Sequence, residues 1–305
     1  MTPQIFFLPT GRLFLDIVFA GLPRWASPGE EIYSQQFTVC AGGSFNSAAA
    51  CHNLGISVGL CAHLGNDFSS KAIRQAIVDA GISTDFLIEH QAPMQAVTAS
   101  FSTKEDRAFV SYIDPQPLFS KSELPDHGQP QMIFVPGIPE DPPALFDYLD
   151  SMKARGSKIV CDSQHVEKTM QDPGIRGLIQ RFDLFLCNEK EAFALTEYEE
   201  PEAAARALLD FCPEVVIKLG PDGALTATKD SIEIQAATPI CPADTTGAGD
   251  GFDAGYLYGD IHGFSIKRKL RLGNVAGGCA TSCIGGSSYQ LTAQKLMELE
   301  NRYYD

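Results

Sequence analysis

Residues 244–255, DTTGAGDGFDAG, set four glycines and three aspartates into twelve positions, where a glycine-rich turn gives way to small and apolar residues at helical spacing. Gly247, Ala248 and Gly249 leave backbone N–H groups unobstructed at the first turn of a helix, where unpaired amides and the macrodipole favour negative charge. That makes an anion hole. Asp250 sits in the same first turn, close to any bound phosphate, a placement that anion binding alone does not explain. A general base that takes a proton from an alcohol as it attacks a phosphoryl group accounts for both features. The local spacing leaves ordinary capping open as well, since Asp is common in a first turn and Asp244 or Thr245 could cap. A dinucleotide-binding turn fails, because G-A-G-D-G lacks the G-x-G-x-x-G spacing and does not follow the first strand. No P-loop, protein-kinase H-R-D or D-F-G string, or G-x-S-x-G elbow occurs.

Upstream of this turn, short apolar runs recur: IFFLP, VGLCAHLG, MIFVPG, KIVCDS, LFLCNE and VVIKLG. Continuous runs of this length suit a parallel sheet covered on both faces. Helix-like stretches lie between them at 44–54, 69–80, 142–154, 189–196 and 201–211, with Gly55 and Gly81 as C′ stops. The alternation predicts an open, doubly wound α/β sheet. Residues 16–40 and 94–116 break it, with the polar/apolar alternation of exposed antiparallel strands, and predict a small β lid. No repeat or long linker divides the chain, so 1–305 is expected to be one domain.

The balance of 23 basic against 38 acidic residues gives a net charge of −15, which argues against nucleic acid or an anionic membrane as partner. A small anion at a local site remains compatible with it. Nine cysteines without a C-x-x-C pair, and six histidines without H-x-x-x-H spacing, suggest neither a disulfide frame nor a zinc site. Reduced, mostly buried thiols point to a cytoplasmic protein. The apolar start, MTPQIFFLPTGRLFLDIVFAG, has no basic n-region and is broken by Pro9, Gly11, Arg12 and Asp16, so it reads as strands rather than a signal peptide or membrane span.

A second glycine-rich stretch, VCAGGSFNSAAACHNLG, places Gly42 and Gly43 before a helix of small residues with Asn46 one turn in. A ligand could approach the backbone there while Asn46 hydrogen-bonds it; close helix–sheet packing would use the same glycines. Together, GGSFNSAAACHNLG and DTTGAGDGFDAGYL resemble the amino- and carboxy-terminal signatures of the ribokinase-like carbohydrate kinases, the PfkB family. Their order and separation fit, and the resemblance spans nearly the whole chain.

The fold implied by that resemblance is a ribokinase-like open, doubly wound, mostly parallel sheet flanked by helices with a small β lid. The activity it implies is ATP-dependent phosphorylation of a sugar or sugar-like hydroxymethyl group. By the same resemblance Asp250 is the base, and Gly247, Ala248 and Gly249 form the anion hole. Asp16, five residues after Gly11, matches an aspartate that binds substrate hydroxyls, alongside Gly42, Gly43 and Asn46. A carboxylate inside an apolar strand needs such partners. Phe14 stands where ribokinase has a substrate-contacting Asn, so ribose does not follow, and a sugar acid, hexose or nucleoside is equally open.

On the nucleotide side, LFLCNEKEAFAL matches an N-x-x-E motif, Asn188 and Glu191, that in the family helps hold the water shell of Mg²⁺; the same spacing makes an ordinary cap. VVIKLGPDGALTA supplies Lys218, Gly220 and Gly223. Many relatives carry Thr where Lys218 stands, so a phosphate contact and a solvated lysine are both open. In LRLGNVAGGCATSCIGG, which resembles the family's adenine-flanking helix and loop, Asn274 is the neighbour of the base or ribose. Asp244 and Thr246, with carbonyls of that loop, match a site for a K⁺-like cation. Lid residues such as Arg107, Tyr112 and Trp25 are candidate substrate neighbours, and the lid suits a monomer's cover or the edge of a homodimer. A nucleoside kinase of the same fold and a catalytically silent sugar- or nucleotide-binding regulator are the alternatives.

Overall fold

A computed structural model describes residues 2–104, 106–164, 168–241, 244–283, 285–286 and 289–304. In chain order the strands are β1 (Ile5–Phe7), β2 (Leu13–Ala20), β3 (Gln36–Gly43), β4 (Val58–Leu60), β5 (Ala62–Leu64), β6 (Leu87–Glu89), β7 (Ala96–Ser102), β8 (Arg107–Ile113), β9 (Met132–Pro136), β10 (Lys158–Asp162), β11 (Leu184–Asn188), β12 (Glu214–Lys218), β13 (Ala224–Thr228) and β14 (Ile232–Gln235). The helices are α1 (Ser44–Asn53), α2 (Phe68–Asp79), α3 (Phe146–Ala154), α4 (Pro173–Ile179), α5 (Glu189–Thr196), α6 (Pro201–Leu208), α7 (Ala248–Ile261), α8 (Ile266–Ala280) and α9 (Ala293–Tyr304).

Eight strands form the main sheet in the order β14-β13-β12-β11-β10-β9-β1-β4. The pairs from β4 to β12 are parallel, and β13 and β14 add an antiparallel edge. The apolar runs become strands buried on both faces because side chains alternate along each. Phe134, Val160, Leu186 and Val216 pack toward α1, α2, α7, α8 and α9, while Ile133, Cys161, Phe185 and Ile217 pack toward α3, α4, α5 and α6. The parallel strands β10, β11 and β12 end at Asp162, Asn188 and Lys218. Such strand ends open onto the crevice where doubly wound folds bind ligands.

The two exposed stretches build a separate four-stranded sheet, β3-β2-β7-β8. One expectation needs correction: the lid is not wholly antiparallel. Its two hairpin-like pairs, β2 with β3 and β7 with β8, are antiparallel, but they join through a parallel pairing of β2 with β7. Two excursions of the chain, far apart in sequence, leave the core in the same direction and must lie side by side. The run VGLCAHLG also divides: β4 extends the main sheet, and β5 pairs in parallel with β6 in a two-stranded sheet. Trp25, the sole tryptophan, lies in the connection between β2 and β3 and is 44% exposed.

Candidate active site

Two helix N-termini meet at the crevice. Gly247 caps α7 in the left-handed region (φ 77°), and a Cβ there would lie 2.6 Å from the Gly286 Cα. Only glycine meets both demands. Gly43 caps α1 with φ 66°, and a Cβ there would collide with the Arg12 carbonyl. The first turns of the two helices touch where Ser47 Oγ donates to Asp250 Oδ1. Burial pushes the Asp250 carboxyl up to about 6; the Ser47 hydrogen bond works against that, Asp162 adds to it, and Lys218 and Asn46 oppose it.

Asp16, on β2, faces the same space. Its carboxyl is also raised to about 6, first by burial and then by the charge of Asp250, so the two carboxylates sense one another. Gly42, on β3, makes room for it, since a Cβ there would collide with Asp16 Oδ2. Among the described residues, nothing partners the Oδ1 of buried Asn46 or the buried Ser44 hydroxyl. A buried acceptor without a partner is costly, and a donor from a bound molecule would satisfy it. Register places Arg107 on the same lid face as Asp16 and Tyr112 on the other. Arg107 reaches the α7 approach, donating to Thr246 Oγ1 at 3.2 Å.

At the strand ends the arrangement departs from a simple set of nucleotide contacts. The Lys218 ammonium lies 2.8 Å from Asp162 Oδ1 and 3.1 and 3.2 Å from the two oxygens of Asp253. Burial disfavours its charge, but Asp162 and Asp253 outweigh that and hold its pKa well above the ordinary value. Asn188 and Glu191 form a complete capping box on α5: Asn188 Oδ1 accepts from the Glu191 amide (3.0 Å), and Glu191 Oε2 accepts from the Asn188 amide (2.9 Å). Ser163 Oγ donates to the same Oε2 at 2.8 Å. Burial and then Asp162 raise the Glu191 carboxyl.

The remaining expected positions are held mainly by the protein's own backbone. Asp244 Oδ1 accepts from the Thr246 amide (2.9 Å) and hydroxyl (2.8 Å), and its Oδ2 from the Gly285 amide (2.9 Å), which closes the loop before α7. Asn274 is buried on α8, its amide nitrogen 3.0 Å from both the Gln235 and Ala236 carbonyls. Gly220 and Gly223 shape the β12–β13 turn with φ of 59° and 102°. Part of the loop beyond Cys283, expected to supply cation-binding carbonyls, lies outside the described residues. Among the described residues no group of three or more His, Cys, Asp or Glu side chains could hold a metal ion.

Ser47, Asp162, Ser163 and Asp253 are site residues that motif reading passed over. Asp162 had a signal, a carboxylate ending the apolar strand KIVCD. So did Asp253, a charge inside a helix buried nearly all round. Ser47 had none beyond its place one turn into α1.

The fold and this convergence of helix N-termini and carboxylates define a phosphotransferase-like α/β site. A family model for the pfkB family carbohydrate kinases matches residues 15–293, and the chain belongs to that family of ATP-dependent phosphotransferases acting on carbohydrates. The chain is 23% identical over 301 residues to the ribokinase of Haemophilus influenzae, covering 94% of this chain and 96% of that one. In fold it resembles an Arabidopsis thaliana ribokinase solved with ribose and ATP (TM-score 0.78, 19% identity, 98% and 99% coverage). It also resembles a double-mutant fructokinase of Vibrio cholerae O395 solved with fructose, ADP and potassium ion (TM-score 0.77, 21% identity, 98% and 99% coverage).

Proposed function

We propose that this kinase phosphorylates a hydroxymethyl group of a sugar or sugar-like small molecule, with Asp250 as the general base. The observation that carries this is the placement of a half-buried carboxylate, raised to about 6, in the first turn of the glycine-capped helix α7. A base should titrate near its working pH and stand beside the anion it serves. Asp16 and the Asn46 Oδ1, unpartnered among the described residues, orient the substrate's hydroxyls. Asp250 takes the proton as the hydroxyl oxygen forms its bond to the γ-phosphorus, and the bond from that phosphorus to ADP's oxygen breaks. The amides of Gly247 and Gly249 stabilise the charge that develops, while that of Ala248 donates to the Thr245 carbonyl at 3.3 Å before the phosphate arrives.

With no cluster of protein ligands among the described residues, Mg²⁺ suits the site only as a hydrated ion carried by the nucleotide phosphates. Glu191, its Oε2 already engaged, and Asn188 would hold that water shell, and the ion would neutralise phosphate charge when bound. Asp244 and Thr246 flank the place for a K⁺-like ion, the cation bound in the fructokinase neighbour. Gly220, Gly223 and Asn274 line the nucleotide side. The nine cysteines are free thiols, five of them buried, which suits a cytoplasmic enzyme.

Asp250→Asn is expected to lower turnover at least about 10²-fold while leaving ATP affinity within about threefold, as loss of a general base should. An ADP-release screen over free sugars, sugar acids and nucleosides, with this variant as the blank, identifies the substrate. Near-normal turnover in the variant would remove Asp250 from its role, and binding without turnover across the panel would favour a regulator. A homodimer through the lid belongs to the same reading, because β3 and β8 are its edges and carry exposed Phe37, Val39, Phe109 and Val110. Sedimentation velocity should give a dimer that Val110→Lys converts to monomer; a monomeric wild type sinks this part.

A further inference from the structure

Lys218 stands at the end of β12, where a cation could meet a nucleotide phosphate, yet its surroundings point it elsewhere. An ammonium has three N–H donors, and three carboxylate oxygens of Asp162 and Asp253 lie within 3.2 Å of it. The Asp253 side chain is 1% exposed and those of Lys218 and Asp162 are 12% and 11% exposed. β11 lies between β10 and β12, so the lysine spans a strand to reach Asp162 and reaches up to α7 for Asp253. A Cβ on Gly249 would lie 3.5 Å from its Nζ, which puts the ammonium against the backbone of the anion hole. Asp253 is one helical turn past Asp250, so a tether at Asp253 fixes the rotation of the turn that carries the base.

We propose that Lys218 is a positioning residue: wedged between Asp162 and Asp253, it fixes the first turn of α7, and with it the anion hole and Asp250, without contacting the nucleotide. This rests on the kinase reading given above. Swinging the lysine out to a phosphate would strand Asp253 as an unpaired buried carboxylate, which is costly. In place, it adds positive potential to the amides of the helix start and needs no rearrangement when the phosphates arrive.

Three variants test this: Lys218→Met, Asp253→Asn and the two combined, with kcat and KM measured on the substrate found by the screen and ATP affinity measured by calorimetry. Lys218→Met is expected to lower kcat by about 10²-fold through misplacement of the reacting groups, with the ATP Kd within about threefold. The double variant loses one stranded carboxylate along with the ammonium and should regain at least about tenfold of that kcat, since the two sites are coupled. If Lys218→Met does not fold, Asp253→Asn carries the test, with kcat lowered about tenfold and ATP affinity unchanged. An ATP Kd weakened about tenfold or more in both lysine variants would make Lys218 a phosphate ligand and overturn the proposal, as would a kcat within about twofold of wild type in Lys218→Met. A wild type that turns over no substrate would instead sink the kinase reading. Hydrogen exchange at the α7 first-turn amides still decides the positioning claim then, faster exchange in the double variant upholding it and unchanged exchange overturning it.

Discussion

Asp250 is a carboxylate whose charge its surroundings resist. Burial is the largest cause, and Asp162 adds to it, while Ser47, Lys218 and Asn46 act in the other direction. The folded pKa of about 6 lies above the ordinary value of 3.8, so protonation is favoured by folding. Its contribution to stability is fully present below about pH 4 and is lost as pH rises through about 6. Asp250→Asn should therefore be more stable than wild type at about pH 8, by up to about 3 kcal/mol, and the difference should vanish by about pH 4. Urea denaturation at the two pH values checks this; a variant less stable at the higher pH would contradict it. The gain would mark a place where function is maintained against stability. Asp250 was legible in the sequence as the candidate base because glycines at a helix start announce an anion hole. Its partners were not, because Ser47 and Asp162 reach it from α1 and β10, and no spacing along the chain encodes that meeting.

At the scale of single elements, α5 is begun by one reciprocal pair of residues. Asn188 and Glu191 satisfy each other's amides in a capping box, the local alternative that the N-x-x-E spacing carries on its own. Asn188→Ala should lower stability by about 1 kcal/mol, and Asn188→Asp, which still caps, by much less. Thermal melts of the two variants separate them, and equal losses would mean that the cap is not what holds the helix start. Strand and helix identities were legible where patterns were long: α2 and α6 appear close to where the spacing predicts them. The pairing of β2 with β7 was not, because alternation marks an exposed strand but says nothing about the direction of its neighbour. VGLCAHLG misleads for a related reason. One apolar run can serve two sheets when the chain turns inside it.

Across the whole molecule, α7 is held near both ends by charge. Near its start Asp253 meets Lys218; at its far end Asp260 joins Lys158, Lys269 and Glu214 in a half-buried network, with Tyr256 donating to Glu214 at 2.6 Å. Glu214→Ala leaves two lysines sharing one carboxylate and should cost roughly 3 kcal/mol. The ATP affinity of the folded fraction should be unchanged, because this network lies at the opposite ends of β10 and β12 from the site. Chemical denaturation and calorimetry read the two quantities, and a weakened ATP affinity would show that the ends of α7 communicate. The same large-scale view gives Trp25 an unforeseen use. As the chain's only indole, and one that sits on the lid, it makes indole emission, excited at wavelengths too long for the nine tyrosines, a report from the lid alone. A sugar or nucleotide that alters the lid's surroundings can thus be followed by light, unlabelled, without waiting for a phosphate to move.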